Sequence, residues 1–167
     1  MKASLVTTIL NEEDSIDAFL ESIEKKTMAP GEIILVDAGS QDKTIEKIKQ
    51  WQKKLPIRLI IKPGLNRSQG RNLAIKRAKN KIVAVSDAGC ILDPNWLKEI
   101  TKPLKKKTIS VVAGNYQPVA NTNFQKCLAF YTCVDIYQKI KIGFYLHQGH
   151  CLLKKLFGKG LGVTQKI

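Results

Sequence analysis

The chain has 167 residues, 44% of them hydrophobic and 25% charged, with a formal net charge of +14. These values exclude a disordered or fibrous chain and predict a single domain with a sizeable core. No stretch is apolar for long enough to span a bilayer, and the acidic residues after Asn11 follow the apolar start too closely for a signal peptide. We therefore expect a cytoplasmic protein, and peripheral association with the inner face of the membrane stays open.

The excess of positive charge indicates an anionic partner of one of three kinds: nucleic acid, an anionic membrane surface or a phosphorylated substrate. The lysines are scattered along the predicted helices and are not interleaved with aromatic residues, which argues against nucleic acid. The tight run at residues 105–107 is explained as simply by a solvated face. Charge alone does not separate these partners.

Short apolar runs alternate with amphipathic helical patterns up to about residue 139. The predicted strands span residues 5–10, 33–36, 58–61, 82–86 and 109–113. The first helix is predicted to take Asn11 as its N-cap, because four large apolar residues follow at helical spacing: Ile16, Phe19, Leu20 and Ile23.

Four later helices complete the alternation on which the fold prediction depends, and the first of them follows Asp42. Ser68 is the predicted cap of a helix over residues 69–79, and Asp93 is the predicted cap of a helix that begins at Pro94. Another helix is predicted over residues 121–139. With short links between elements, this alternation predicts an α/β fold with an open, mainly parallel sheet and helices on both faces.

The alternation stops near the end of the chain, which predicts a domain over residues 4–142 and an atypical basic tail over residues 143–167. The tail contains no Asp or Glu. Two explanations stay open for it. One is a shifted reading frame, which the nucleotide sequence would test, and the other is a short basic amphipathic segment at a membrane.

Four charged residues lie at the ends of predicted strands or in the segments that follow them: Glu12, Asp37, Arg71 and Asp87. Each alone has an ordinary structural explanation, such as an acid in a first helical turn, a residue that holds a turn or a solvated helix face. However, the carboxyl ends of parallel strands meet at one edge of a sheet, where such folds bind ligands. We therefore expect the four residues to form one site.

The residue types at this edge favour a nucleotide ligand. Carboxylates accept hydrogen bonds from ribose hydroxyls or a base N–H, and arginine binds phosphate oxygens in a bidentate manner. The chain lacks the glycine-rich fingerprints of dinucleotide-binding and P-loop proteins, and it lacks the G-x-S-x-G turn of serine hydrolases.

Four segments together resemble the amino-terminal half of a family 2 glycosyltransferase with the GT-A fold. They occur in the family's order and spacing, and the resemblance covers about residues 4 to 120. The segments are LVTTILNEE at 5–13, DAGSQDKT at 37–44, GRNLA at 70–74 and SDAGCILDP at 86–94. The expected fold is therefore of the GT-A, nucleotide-diphospho-sugar transferase type, incomplete at its carboxyl end.

The resemblance implies transfer of a sugar from a nucleotide diphosphate sugar to an acceptor hydroxyl, with inversion. It implies that Glu12 and Asp37 contact ribose and base, and that Arg71 lies near the nucleotide or diphosphate. Asp87 matches the first acid of the family's Asp-x-Asp motif, whose second acid helps hold Mg²⁺ or Mn²⁺. The acceptor would be lipid-linked or a polysaccharide, as in cell-envelope synthesis. The acceptor site and the general base are expected in a further segment, so the catalytic base is unassigned.

Gly89 stands where the second acid of that motif is usual. Either Asp87 holds the metal through fewer protein oxygens and more water, or donor binding depends less on metal. A second hypothesis of another class is a non-catalytic basic module that binds nucleic acid or an anionic membrane surface. That module would bind with a steep dependence on salt and would be indifferent to loss of Asp37.

Overall fold

A mainly parallel sheet forms the centre of the protein in the computed structural model, which describes residues 2–114, 119–132 and 151–154. The strands run in the order β3-β2-β1-β4-β6-β5. Strands β1 to β4 are mutually parallel, and β6 is antiparallel to both β4 and β5. Their bounds are β1 Ala3–Ile9, β2 Glu32–Asp37, β3 Ile57–Ile61, β4 Ile82–Val85, β5 Val111–Ala113 and β6 Cys151–Lys154.

Helices connect the parallel strands and cover both faces of the sheet, as predicted. They are α1 Ile16–Glu24, α2 Thr44–Trp51, α3 Arg67–Arg77, α4 Trp96–Thr101 and α5 Asn123–Thr132, with a short 3₁₀ turn at Pro103–Lys105. Helix α5 covers part of the helix predicted over residues 121–139, and the remainder of that prediction lies outside the described residues. Within the described ranges, no helix combines the length and the apolar character needed to cross a membrane.

The alternation of side chains along the central strands divides the core into two layers. On one face, apolar residues of α1 and α4, together with Ile48 of α2, pack on Leu5, Ile33 and their neighbours. On the other face, Ala74 of α3 packs on Val6 and its neighbours. Burial on both faces explains why apolar residues predominate in β2 and β4.

The first helix does not begin as predicted, because Asn11 is engaged elsewhere. Asn11 lies in the left-handed region with φ of 52°, and Ser15 occupies the N-cap position of α1 without a side-chain cap. The Asn11 Oδ1 atom accepts a hydrogen bond of 2.9 Å from the backbone N–H of Gln41. The asparagine therefore joins two loops instead of capping a helix.

Helix α3 begins two residues before the predicted start, and its cap is Asn66, not Ser68. Asn66 and Gln69 form a capping box, with the Asn66 side chain accepting from the Gln69 N–H at 2.8 Å and the Gln69 side chain accepting from the Asn66 N–H at 3.0 Å. The reciprocal bonds satisfy two donors at once, which the Ser68 hydroxyl does not do.

Asp93 makes the predicted kind of contact, but it closes a turn ahead of the helix. Its Oδ1 atom accepts from the Asn95 N–H at 2.7 Å, and α4 starts at Trp96. Strand β6 was not predicted. It lies within the predicted tail and pairs with β4 of the predicted domain. The division at residue 142 stays a prediction.

Candidate functional site

The strand order reverses between β1 and β4, and this reversal places the candidate site. From β1 the chain builds β2 and β3 on one side, and it then crosses back to add β4 on the other side. In parallel sheets a crevice opens at such a point, outside the carboxyl ends of the strands. The loops that follow β1, β2 and β4 all begin at this edge.

Asp37, the last residue of β2, is fully buried and builds the turn that follows it. Its Oδ1 atom accepts hydrogen bonds from the N–H groups of Gly39 at 2.9 Å and Ser40 at 3.0 Å, and its Oδ2 atom accepts one from the Ser40 hydroxyl. Gly39 has φ of +114°, which disfavours a side chain there. The carboxylate therefore stabilises the turn, whose residues donate all three of these hydrogen bonds.

Glu12 lies in the loop after β1, where it is half-buried. Its carboxylate accepts a hydrogen bond from the Ser15 hydroxyl, and its backbone N–H donates to the Thr44 hydroxyl at 2.8 Å. The second bond ties the loop after β1 to the start of α2. Glu12 is thus held beside the turn that Asp37 builds.

Two acids that no sequence pattern singled out fasten these loops together. Asp42 accepts from the backbone N–H of Glu13 at 3.0 Å, and the Glu13 carboxylate accepts from the N–H of Lys43 at 3.2 Å. The hydrogen bond from Thr44 holds the pKa of Asp42 below its usual value. Asp42 lies two residues before α2 and within one of the resembling segments, a place where acids commonly accept backbone N–H groups.

Arg71 of α3 forms an ion pair with Asp87, through its Nη2 atom and the Asp87 Oδ1 atom. The arginine side chain is 28% exposed and the aspartate side chain 37%. The Nε atom of Arg71 is covered and has no hydrogen-bond partner in the part of the chain that the structure describes. The pair joins α3 to the loop after β4 across the crevice edge.

Gly70 explains how Arg71 comes so close to this edge. A Cβ atom on Gly70 would lie 2.4 Å from Cγ2 of Thr8, so α3 packs against β1 closely enough to exclude any side chain at this position. The Thr8 hydroxyl also donates to the carbonyl of Arg67 at 3.2 Å. Close packing of the helix on β1 fixes the guanidinium group above the strand ends.

The Cys90 thiol lies in the loop after β4, and its backbone N–H donates to the carbonyl of Asp87 at 3.2 Å. Burial raises the pKa of the Cys90 thiol, and the negative charges of Asp87 and then Glu12 raise it further. Arg71 and Asp87 are in direct contact, and Asp37 lies next to Ile9 at the end of β1, from which the loop that carries Glu12 continues. That the four residues bind one ligand stays a prediction.

The loop after Asp87 is anchored to the end of α1. The Leu92 N–H donates to the Ser22 hydroxyl at 3.1 Å, and the Lys26 ammonium donates to the Leu92 carbonyl. Burial lowers the pKa of Lys26 to about 8, against the opposing effect of Asp93. A further bond of 3.0 Å runs from the Thr27 N–H to the carbonyl of Pro94. These bonds hold the loop, and Gly89 with it, in a defined position.

The side chains at this edge do not fit a metal site with two acids. Asp87 is already paired with Arg71, and Gly89 has no side chain that could ligate a metal ion. Among the described residues, no group of three or more His, Cys, Asp or Glu side chains is arranged to hold a metal ion.

Residues 4–155 of the chain match the family described as Glycosyl transferase family 2. Over 121 residues the chain is 29% identical to the UDP-Glc:alpha-D-GlcNAc-diphosphoundecaprenol beta-1,3-glucosyltransferase WfgD of Escherichia coli, a match that covers 72% of this chain and 47% of that protein.

Two solved structures are similar to this one. S. aureus TarS 1-349 in complex with UDP-GlcNAc has a TM-score of 0.65 at 23% identity, covering 74% of this chain and 36% of that chain. A mannosyltransferase from Pyrobaculum calidifontis in complex with GDP-Man and Mn²⁺ has a TM-score of 0.70 at 20% identity, covering 92% of this chain and 44% of that chain. At these identities the likeness shows the fold alone. The chain spans less than half the length of each of the three proteins.

Proposed function

The chain belongs to glycosyl transferase family 2 and has the predicted GT-A fold, and on this premise we propose that its crevice binds the donor, a nucleotide diphosphate sugar. The donor would lie across the carboxyl ends of β1, β2 and β4. The observation that carries the proposal is the Arg71–Asp87 ion pair at the reversal of strand order. A cation held by a carboxylate at this edge suits a ligand with a diphosphate.

The proposed roles follow from where each side chain lies. Arg71 binds the diphosphate, and Glu12 and Asp87 accept hydrogen bonds from the sugar or ribose hydroxyls of the donor. The predicted contact of Asp37 with ribose or base stays a prediction. Since its carboxylate is bound by Gly39 and Ser40, we propose that Asp37 acts first by fixing the shape of that turn.

The proposed reaction is a single displacement with inversion at the anomeric carbon. The bond from that carbon to the diphosphate oxygen breaks with its electron pair staying on the diphosphate. The acceptor hydroxyl oxygen forms the new bond and gives its proton to a base. Among the described residues none is assigned as that base, so we propose for these residues the donor-binding part of the reaction.

We propose an acceptor of the lipid-linked or cell-envelope glycan class. The support is the similarity to WfgD, whose acceptor is a diphosphoundecaprenol-linked sugar, and the net charge of +14, which favours an anionic surface or acceptor.

Calorimetric titration of the chain with UDP and GDP tests the proposal. The comparison is between wild type, Asp37→Ala, Asp87→Ala and Glu46→Gln, the last an exposed acid on α2 that serves as the control. We expect one of the nucleotides to bind wild type and Glu46→Gln alike and to lose most of its affinity in the two aspartate variants. Thermal unfolding of Asp37→Ala separates a loss of binding from a loss of the folded turn.

The basic-module hypothesis gives a different result in the same experiment. It predicts no binding of either nucleotide, together with heparin or DNA binding that weakens steeply with salt and is unchanged by Asp87→Ala. Binding of nucleotide with equal affinity by wild type and Asp87→Ala would place the nucleotide elsewhere on the chain.

A further inference from the structure

The position that a second metal-binding acid would occupy in the loop after β4 is open space. A Cβ atom on Gly89 would meet no other atom of the described residues within 4 Å. The glycine is therefore not required by crowding, and its φ does not lie in the left-handed region. Neither steric crowding nor backbone strain explains why this position lacks a carboxylate. Binding of a diphosphate at this edge must therefore be explained without a second acid.

The carboxylate that remains at this edge is committed to a cation of the protein itself. Asp87 pairs with Arg71, and the pair is the sole hydrogen bond that the Arg71 side chain makes within the described ranges. A guanidinium group has five N–H donors in a planar fork. The Nε–H of Arg71 is covered and one Nη2 donor is taken by Asp87, so the donors of Nη1 and the second donor of Nη2 stay unpaired within the described ranges. Asp87 thus holds the group and leaves donors for a ligand.

A divalent cation at Asp87 would have to share the carboxylate with Arg71, which pairs with its Oδ1 atom. One carboxylate would then face both the metal ion and the guanidinium, and the repulsion between the two cations would oppose binding of the metal. Two carboxylates could offset that repulsion, but this loop has one. Arginine is itself among the groups that stabilise charge on departing phosphate oxygens.

We propose that Arg71, held by Asp87, takes the place of the divalent cation in this chain, so that the donor diphosphate binds without metal. The arginine neutralises part of the diphosphate charge and binds its oxygens through the N–H groups that Asp87 leaves free. This assignment rests on the proposed function, because it presupposes a nucleoside diphosphate in the crevice. Of the two alternatives that Gly89 left open, it favours donor binding that depends little on metal over a metal ion held by Asp87 and water.

The experiment is calorimetric titration of the full chain with UDP and GDP, each with EDTA and with Mn²⁺. For wild type we expect the dissociation constant of the nucleotide that binds to be about the same in the two conditions. Arg71→Gln should weaken binding in EDTA by about tenfold or more, the effect of losing a charge-assisted hydrogen bond. Arg77→Gln, at the exposed end of the same helix, is the matched control and should bind as wild type does.

Two responses to Mn²⁺ distinguish replacement of the metal from a merely structural role for Arg71. Because Arg71→Gln frees Asp87, Mn²⁺ should restore part of its lost affinity. Gly89→Asp adds the second acid in open space, and it should make nucleotide affinity rise with Mn²⁺. The binding of Mn²⁺ to Gly89→Asp can also be measured without nucleotide, from the electron paramagnetic resonance signal of the free ion.

The outcomes distinguish failure of the role proposed for Arg71 from failure of the proposed nucleotide site. Wild-type binding that requires Mn²⁺ would overturn the assignment of Arg71 and leave the proposed nucleotide site standing. Equal losses in Arg71→Gln with and without Mn²⁺ would also overturn it, since they indicate a structural role. Absence of binding by either nucleotide in every condition would overturn the proposed function, and the assignment of Arg71 with it.

Discussion

Gly70 lies so close to Thr8 that a Cβ atom placed on the glycine would come within 2.4 Å of the Thr8 Cγ2 atom and 2.6 Å of its Oγ1 atom. Glycine normally weakens a helix interior by about 1 kcal/mol relative to alanine. Here the close approach of α3 to β1 reverses that preference, because the added methyl group has nowhere to go. The position of Arg71 over the crevice depends on this contact.

The first prediction is that Gly70→Ala lowers the free energy of unfolding by about 1–3 kcal/mol, the usual cost of overpacking a core. Urea denaturation followed by circular dichroism measures it. Thr8→Ala should recover part of the loss when combined with Gly70→Ala, because it removes the two nearest atoms. Gly89→Ala, in open space, is the control and should change stability little. A Gly70→Ala protein more stable than wild type would contradict the packing described here.

The second prediction concerns the start of α3. Asn66→Ala should lower the free energy of unfolding by about 1 kcal/mol, because it removes the side-chain bond to the Gln69 N–H. Ser68→Ala should change it much less, although Ser68 was the cap predicted from sequence. The same denaturation experiment ranks the two variants. The reverse order would show that Ser68 caps the helix in solution.

The third prediction is a pH dependence of stability that arises from Lys26. Its pKa is about 8 in the folded protein, whereas the ordinary pKa of a lysine, which the unfolded chain has, is 10.5. Between these values the unfolded chain holds a proton that the folded protein has released, so the contribution of Lys26 makes the free energy of unfolding rise as pH rises through this window. Below pH 8 both states hold the proton and the contribution is constant.

Urea denaturation at pH 8 and pH 10 measures this effect as a difference between proteins. Lys26→Met should lack the rise, whereas Lys49→Met, an exposed lysine on α2, should keep it. Parallel pH profiles of wild type and Lys26→Met would show that burial does not shift the Lys26 pKa.

The fourth prediction uses the Cys90 thiol as a reporter of the carboxylates around it. Its raised pKa leaves little thiolate at pH 8, so Cys90 should react with iodoacetamide more slowly than the exposed Cys127. Asp87→Asn should speed the reaction of Cys90 and leave that of Cys127 unchanged. Mass spectrometry of the alkylated peptides gives both rates. A Cys90 rate that ignores Asp87→Asn would mean that the carboxylate does not act on the thiol.

Measuring the rate of Cys90 alkylation in the presence of nucleotide also tests the proposed site. UDP or GDP, whichever binds, should slow alkylation of Cys90 and have no effect on Cys127. Equal rates with and without a nucleotide that calorimetry shows to bind would place that nucleotide away from the loop after β4.

The sheet and the edge that carries the site could be predicted from sequence because both follow from local patterns. Apolar runs that end on a carboxylate, as at Asp37 and Asp87, mark buried strands and the edge where they stop. What failed depended on contacts between distant segments. Asn11 has the residue type of an N-cap, but its side chain bonds Gln41, and no local pattern around Asn11 reveals that partner.

The error at the start of α3 could have been avoided, because the sequence contains the signal for the correct cap. Asn66 and Gln69 have the spacing of a capping box, which should have outranked the single hydroxyl of Ser68. That Asp37 holds its own turn was one of the structural explanations open from the sequence. The hydrogen bonds from Gly39 and Ser40 confirm it. Strand β6 gave no such signal, since four residues in a segment of irregular pattern do not distinguish a strand from a loop.

The position of β6 between β4 and β5 sets an order in which the sheet can be completed. Among the described strands, β5 pairs with β6 alone, and β6 follows β5 only after a long intervening segment of the chain. The consecutive parallel strands β1, β2 and β3 pair through shorter connections, so they can assemble first, while β5 must wait for a later segment to bridge the gap. Pulse-labelled hydrogen exchange during refolding should therefore protect amides of β1 and β2 before those of β5. The strands beside the crevice would then form the early part of the fold, and the border at β5 the late part.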